Sequence, residues 1–143
     1  MPGLPFTGRC QCGAAAYSVS AVPEAVYVCH CRECQKQSAS AFGISVSVAK
    51  VRFQLTRGEV RTWSRRTDSG RILHCHFCAV CGSRLWHEGP GWDVLSVKGG
   101  SLDEPVDLAT AIHIWTSRKL PGVVIPADAA TSRACGSRRS RRR

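Results

Sequence analysis

Phe42-Gly43-Ile44-Ser45-Val46-Ser47-Val48-Ala49-Lys50-Val51-Arg52-Phe53-Gln54-Leu55-Thr56 decides the fold class. Phe42, Ile44, Val46 and Val48 alternate with Gly43, Ser45 and Ser47, and then Val51, Phe53 and Leu55 alternate with Arg52, Gln54 and Thr56. Successive side chains of an extended chain point to opposite faces, so a period of two describes two half-buried strands. The pair is expected to meet as a hairpin around Ala49 and Lys50. Shorter strand patterns occupy residues 15–19, 25–28, 60–65, 71–74, 84–87, 93–98 and 110–115, separated by turn signals at Gly58, Asp68-Ser69-Gly70, Gly89-Pro90-Gly91, Gly99-Gly100 and Pro121-Gly122. No window sustains a helical stripe over three turns. The reading is a mainly β domain with one short helical turn, after Cys31 or near Leu102.

With 143 residues the chain has room for one domain, expected over residues 1–126. From Ala127 onward alternation and aromatics vanish, and residues 127–143 read as a disordered, arginine-rich tail. No apolar run reaches the roughly 18 residues of a membrane span, and Met1-Pro2-Gly3-Leu4-Pro5 lacks the basic and apolar regions of a signal peptide. The expectation is a cytoplasmic chain without a membrane partner. Of the net charge of +10, six arginines lie in the last eleven positions, which leaves residues 1–132 with 14 basic against 10 acidic groups. Seven zinc-bound thiolates with two Zn²⁺ would bring that part to about +1.

Nine cysteines in a reducing compartment point to metal rather than disulfides. Eight fall in three groups: Cys10-Gln11-Cys12-Gly13; Cys29-His30-Cys31-Arg32-Glu33-Cys34; and Cys75 followed by Cys78-Ala79-Val80-Cys81-Gly82. Two thiolates on a tight turn can face one cation, and a following glycine lets the backbone take positive φ. Cys10, Cys12, Cys78 and Cys81 supply the four ligands of a closed structural site. Cys29, Cys31 and Cys34 remain, three thiols that cannot close a four-coordinate shell alone; an open position is what a catalytic zinc keeps. The alternative is that all seven are structural, with Cys75, His30, His74 or His76 as eighth ligand.

Gly8-Arg9-Cys10-Gln11-Cys12-Gly13, residues 29–38 (CHCRECQKQS), His76-Phe77-Cys78-Ala79-Val80-Cys81-Gly82 and Gly100-Ser101-Leu102-Asp103-Glu104-Pro105, in this order, resemble the glutathione-dependent formaldehyde-activating enzyme family, whose domain is shared with centromere protein V. The similarity runs from about Gly8 to Pro126. It implies a β-tent-like fold of packed antiparallel sheets, a structural zinc on Cys10, Cys12, Cys78 and Cys81, and a catalytic zinc on Cys29, Cys31 and Cys34. It also implies a carbon–sulfur lyase activity that joins glutathione, as thiol substrate, to formaldehyde. The chain departs from the family with Ala39 after Ser38, where glycine is usual, and Gly122, where tryptophan is usual. Ala39 disfavours any positive φ, and Gly122 removes an aromatic wall.

Glutathione carries two carboxylates, and Arg32 and Lys36, beside the triplet, are the candidate residues to bind them. His30 is expected to hydrogen-bond a thiolate or a backbone carbonyl. Trp63, Trp86, Trp92 and Trp115 read as core and rim packing, Asp103 and Glu104 as a capped turn, Cys75 as a small buried side chain or free thiol, and Cys135 as a bystander. The alternative function is a non-catalytic zinc domain that carries a thiol or binds nucleic acid through the basic tail; against nucleic acid stand the near-neutral body and the absence of a basic stripe with interleaved aromatics.

Overall fold

The alternating stretch does form two strands, in different sheets. The structure is a computed structural model that describes residues 3–134. Its strands are β1 (Phe6–Arg9), β2 (Ala16–Val19), β3 (Ala25–Cys29), β4 (Gly43–Ala49), β5 (Phe53–Arg57), β6 (Val60–Arg66), β7 (Ile72–Cys78), β8 (Arg84–Glu88), β9 (Val94–Lys98) and β10 (Ile112–Ile114), with one short helix, α1 (Arg32–Ser38), between β3 and β4. A three-stranded sheet has the order β1-β2-β5 and a seven-stranded sheet the order β10-β3-β4-β9-β8-β7-β6. All pairs are antiparallel except β10 with β3.

The expected hairpin of β4 with β5 does not form. Both edges of β4 are taken by β3 and β9, and the 3-10 turn Lys50–Arg52 carries the chain into the small sheet, where β5 pairs with β2. Period two reports which face a side chain takes, not which strand it pairs with. Val51, placed by the alternation on a buried face, lies on that turn and is 88% exposed. The four residues of β1 gave no pattern of their own; Phe6 is buried and Gly8 lies against the Tyr17 ring, where a Cβ would collide with the phenol hydroxyl.

The core fills the space between the sheets. Tyr17, Val19 and Phe53 of the small sheet meet Val46, Val48, Trp86, Leu95 and Val97 of the large one. The Tyr17 and Phe53 rings stack at 5.1 Å, and Phe53 lies 4.7 Å from Trp86. Each such side chain contributes roughly 1.5–3 kcal/mol by leaving water. The register Val46↔Val97↔Trp86 runs across this inner face, so its neighbours Ser47↔Ser96↔His87↔Cys75↔Trp63 and Ser45↔Lys98 must occupy the other. The alternation that builds the core therefore collects polar groups on the opposite face.

Residues 130–134, in the stretch expected as tail, are hydrogen-bonded along β10 and the residues after it: His113 N–H to Ala130 O at 2.9 Å, Ser132 N–H to His113 O at 2.8 Å and Trp115 N–H to Ala134 O at 2.9 Å. Backbone bonds of a segment with mostly exposed side chains leave no hydrophobic pattern to read. Cys135, Arg138, Arg139, Arg141, Arg142 and Arg143 lie outside the described residues. Among the described residues no helix is long and apolar enough to cross a membrane.

Candidate metal centres

Cys10 and Cys12 lie on the turn after β1, Cys78 ends β7 and Cys81 lies on the turn that follows it. The fold brings these four sulfurs within 4.8 Å of one another. The two turns are built alike. Gly13 N–H bonds Cys10 O at 3.2 Å and Gly82 N–H bonds Cys78 O at 3.0 Å, with φ of 79° and 80° at the two glycines. Backbone amides aim at the sulfurs: Ala15 N–H at Cys10 (3.2 Å), Ala14 N–H at Cys12 (3.4 Å), and Val80 and Cys81 N–H at Cys78 (3.3 and 3.4 Å). Ser83 clamps the turns together, its Oγ accepting from Gln11 N–H at 3.1 Å and lying 3.2 Å from Cys81 Sγ. That hydroxyl lowers the Cys81 thiol to about 5.

The donor set fits zinc. Cys10 Sγ lies 3.6 Å from Cys12 Sγ, and Cys12 Sγ 3.8 Å from Cys78 Sγ. Sulfurs at the corners of a tetrahedron around zinc are about 3.8 Å apart, given Zn–S bonds of about 2.3 Å, whereas a disulfide requires about 2.05 Å.

Cys29 ends β3, Cys31 caps α1 and Cys34 sits in its first turn; these three sulfurs also lie within 4.8 Å of one another. Cys34 N–H donates to Cys31 Sγ at 3.3 Å. Gly43, opposite Cys29 in the sheet, lets α1 approach: a Cβ there would lie 3.1 Å from Cys34 Cβ. The Cys31 thiol is held far below its ordinary value by the Cys29 and Cys34 thiols that hydrogen-bond it, while Cys31, Cys34 and burial push the Cys29 thiol far up. Three crowded thiols cannot all ionise unless a cation sits among them, so this group fits a divalent metal too. Among the described residues the ligand group stops at three.

His74 and His76, weighed as eighth ligands, bond Ser64 Oγ (2.6 Å) and Thr62 Oγ1 (2.8 Å) on the inner face of the hairpin. Cys75 is buried and free. His30 bonds neither a thiolate nor a carbonyl through its ring. Parallel pairing of β10 on β3 brings His113 beside it, and His30 Nε2 lies 2.9 Å from His113 Nδ1, with both rings buried. Burial lowers the pKa of both, so the pair shares one neutral hydrogen bond that fixes the chain between two sulfurs.

A cavity of about 740 Å³ touches the four-sulfur group at Cys10 and α1 at Gln37 and Ser38; Cys29, Cys31 and Cys34 are not among its lining residues. Cys10, Gln11 and Ser83 wall it on one side, Gln37 and Ser38 of α1 with Phe42 and Ile44 on the other. Its cations are Arg9, Arg84 and Lys98; Arg32 and Lys36 are not among its lining residues, and Arg32 bonds Gln35 Oε1. Lys98 is 9% exposed, with Nζ donating to Ser45 Oγ at 3.3 Å and Ser96 Oγ at 3.5 Å. Burial lowers its pKa, and the charges of Cys34, Cys75 and Cys29 raise it, which ties it to the three-sulfur group. Arg84 Nη1 donates to His87 Nε2 at 3.0 Å. A guanidinium only donates, so the His87 proton sits on Nδ1, and burial followed by Lys98, Arg84 and Arg65 lowers its pKa to about 2. Asp103, also at the cavity, accepts from Thr7 Oγ1 at 2.6 Å. Lys98 and Arg84 escaped the sequence reading because sheet register, not proximity along the chain, delivers them. The visible signal was a lysine ending an otherwise apolar strand before Gly99-Gly100.

The profile of the family described as glutathione-dependent formaldehyde-activating enzyme matches residues 5–118. A crystal structure of a Rhodobacter sphaeroides protein is similar in fold, with a TM-score of 0.58 and 19% identity over 76% of this chain and 99% of that one. A comparison with curated proteins finds no match.

Proposed function

The chain belongs to the glutathione-dependent formaldehyde-activating enzyme family, and from that premise we propose that it is a zinc-dependent carbon–sulfur lyase that joins glutathione to formaldehyde as S-hydroxymethylglutathione. The observation that carries this reading is the contrast between a group of four sulfurs and a group that stops at three among the described residues; the cationic cavity reaches the helix that bears Cys34 through Gln37 and Ser38. In this reading Cys10, Cys12, Cys78 and Cys81 hold a structural zinc, and Cys29, Cys31 and Cys34 a catalytic one. A zinc ion held by these three cysteines would supply the Lewis acidity that favours the ionised form of a thiol near neutral pH.

The chain's own residues bind and orient. Arg9, Arg84 and Lys98 receive the carboxylates of glutathione, and Phe42 and Ile44 exclude water on the opposite wall. Holding the thiol where formaldehyde arrives replaces a chance encounter by a positioned one. The sulfur lone pair forms the C–S bond, the carbonyl π pair moves to oxygen, and that oxygen gains one proton for the one lost by the thiol. Lys98 Nζ holds a proton at the cavity for this transfer.

Thiols add to formaldehyde unaided, so the test is rate. Stoichiometric zinc-loaded protein should raise the rate of S-hydroxymethylglutathione formation well above the blank. Binding of glutathione with no rise in rate would replace the lyase by a thiol carrier.

A further inference from the structure

The positive charge of residues 1–132 is concentrated between Arg52 and Glu88. In residues 1–132 outside positions 52–88, seven basic and seven acidic residues cancel; within 52–88, seven arginines face three acids. The segment runs from β5 to β8 and contains β6, an edge strand of the large sheet, and its partner β7, with four arginines and one acid between Val60 and Cys78.

Alternation sorts the side chains of β6. Thr62 and Ser64 bond His76 and His74 on the inner face. Arg61, Trp63 and Arg65 therefore share the outer, polar face, with Trp63 opposite Cys75. Trp63 is 51% exposed, and the Arg84 guanidinium from β8 lies 5.6 Å from its ring centroid. Glu88 is engaged elsewhere, by Lys50 at 3.3 Å and Trp86 Nε1 at 3.3 Å. The result is a row of cation, indole and cation at steps of about 6.8 Å along the sheet edge. The sequence reading found no basic stripe interleaved with aromatics; RTWSR at 61–65 becomes one once the strand places every second residue on a common face.

We propose that Arg61, Trp63 and Arg65 form a binding surface for single-stranded nucleic acid, with the arginines on phosphates and a base stacked on Trp63. Charge alone would serve any polyanion. A half-exposed indole between arginines adds a platform for an unpaired base, which an acidic peptide does not offer and a duplex keeps stacked within itself. The surface is separate from the arginine-rich C-terminus and adjoins the cavity at Arg84, whose guanidinium lies over the Trp63 ring.

The test measures fluorescence anisotropy of labelled dT20 with full-length, zinc-loaded protein across a salt series. Replacing both stripe arginines (Arg61→Gln with Arg65→Gln) should weaken binding at least tenfold and make the salt slope shallower by about 1.4, the loss of two single-strand phosphate contacts. Trp63→Ala should weaken binding at least fivefold at unchanged salt slope, and Trp63→Phe should restore most of it. A cooperative melt with unchanged zinc content in each variant shows that the fold is intact. A full-length variant with Arg138, Arg139, Arg141, Arg142 and Arg143 all changed to Gln reports the tail separately. The proposal is overturned if wild type does not bind dT20 at 50 mM salt (roughly three times lower than physiological ionic strength). It is also overturned if only the tail variant loses binding, or if polyglutamate displaces dT20 as well as unlabelled dT20 does.

Discussion

The two cysteine groups use the same ligand atom in opposite settings. The four-sulfur group joins segments more than 60 residues apart in sequence, Cys12 lying 3.8 Å from Cys78 with |i−j| of 66. It fastens the turn after β1 to the end of β7, and four amide N–H contacts already face its sulfurs. The three-sulfur group is local, drawn from six consecutive positions at the junction of β3 and α1. Its surroundings are a buried lysine and a histidine pair. One group brings distant pieces of chain together; the other sits at a single junction whose strand, β3, is paired on both edges by β4 and β10. Similar sulfur counts therefore need not mean similar roles, and loop length between the ligands tells them apart.

The largest predicted effect strikes the long-range group. Cys78→Ser should abolish the cooperative thermal transition, because losing a structural zinc removes on the order of 10 kcal/mol of coupled binding energy from a domain whose margin is about 5–15 kcal/mol. A sharp melt with near-native midpoint in that variant would break the comparison. Cys31→Ser, at the local group, should leave the melt cooperative while zinc per chain, measured by mass spectrometry, falls from two to one and catalysis disappears. Loss of the whole fold there would make both groups structural.

The comparison also explains what could be read in advance. The four-sulfur group was legible because short cysteine pairs closed by Gly13 and Gly82 announce turns, and turns of that kind place two sulfurs together wherever they occur. The strands were legible from alternation, but their partners were not: β5 left β4 for the small sheet, a choice made by competition for edges that a local pattern does not record. For the same reason Arg32 and Lys36, neighbours of the triplet in sequence, stay off the cavity wall, while Lys98 and Arg84 reach it across β9 and β8. β10 joins β3 in parallel, and only that crossover could reveal that His30 meets His113.

A smaller effect separates cavity cations from helix-surface cations. Arg84→Gln should raise KM for glutathione about tenfold, or about 1.4 kcal/mol, with kcat within about twofold. KM for glutathione diethyl ester, which lacks the carboxylates, should stay unchanged. Arg32→Gln and Lys36→Gln should leave KM for glutathione within about twofold. The reverse ranking would return substrate binding to the residues beside the triplet.

The smallest effect belongs to Ala39, which closes α1 at the end opposite the three-sulfur group. Its φ of 50° and ψ of 40° lie in the left-handed region, where an L side chain costs roughly 1–2 kcal/mol. The turn is imposed from both sides: Ala39 N–H bonds Lys36 O at 3.2 Å, and Ser38 Oγ, one residue earlier, reaches Phe42 O at 3.0 Å. Ala39→Gly relieves the side-chain clash but gives the unfolded chain more freedom, worth about 0.4–1 kcal/mol in the other direction. The difference should appear as a stabilisation of about 0.5 kcal/mol, a rise in Tm of roughly 2 °C, with zinc content unaltered because no ligand or ligand-aimed amide moves. A fall in Tm would mean that the hydrogen bonds already absorb the cost of the alanine, and that the rigidity of this turn, rather than its strain, keeps α1 seated over Gly43.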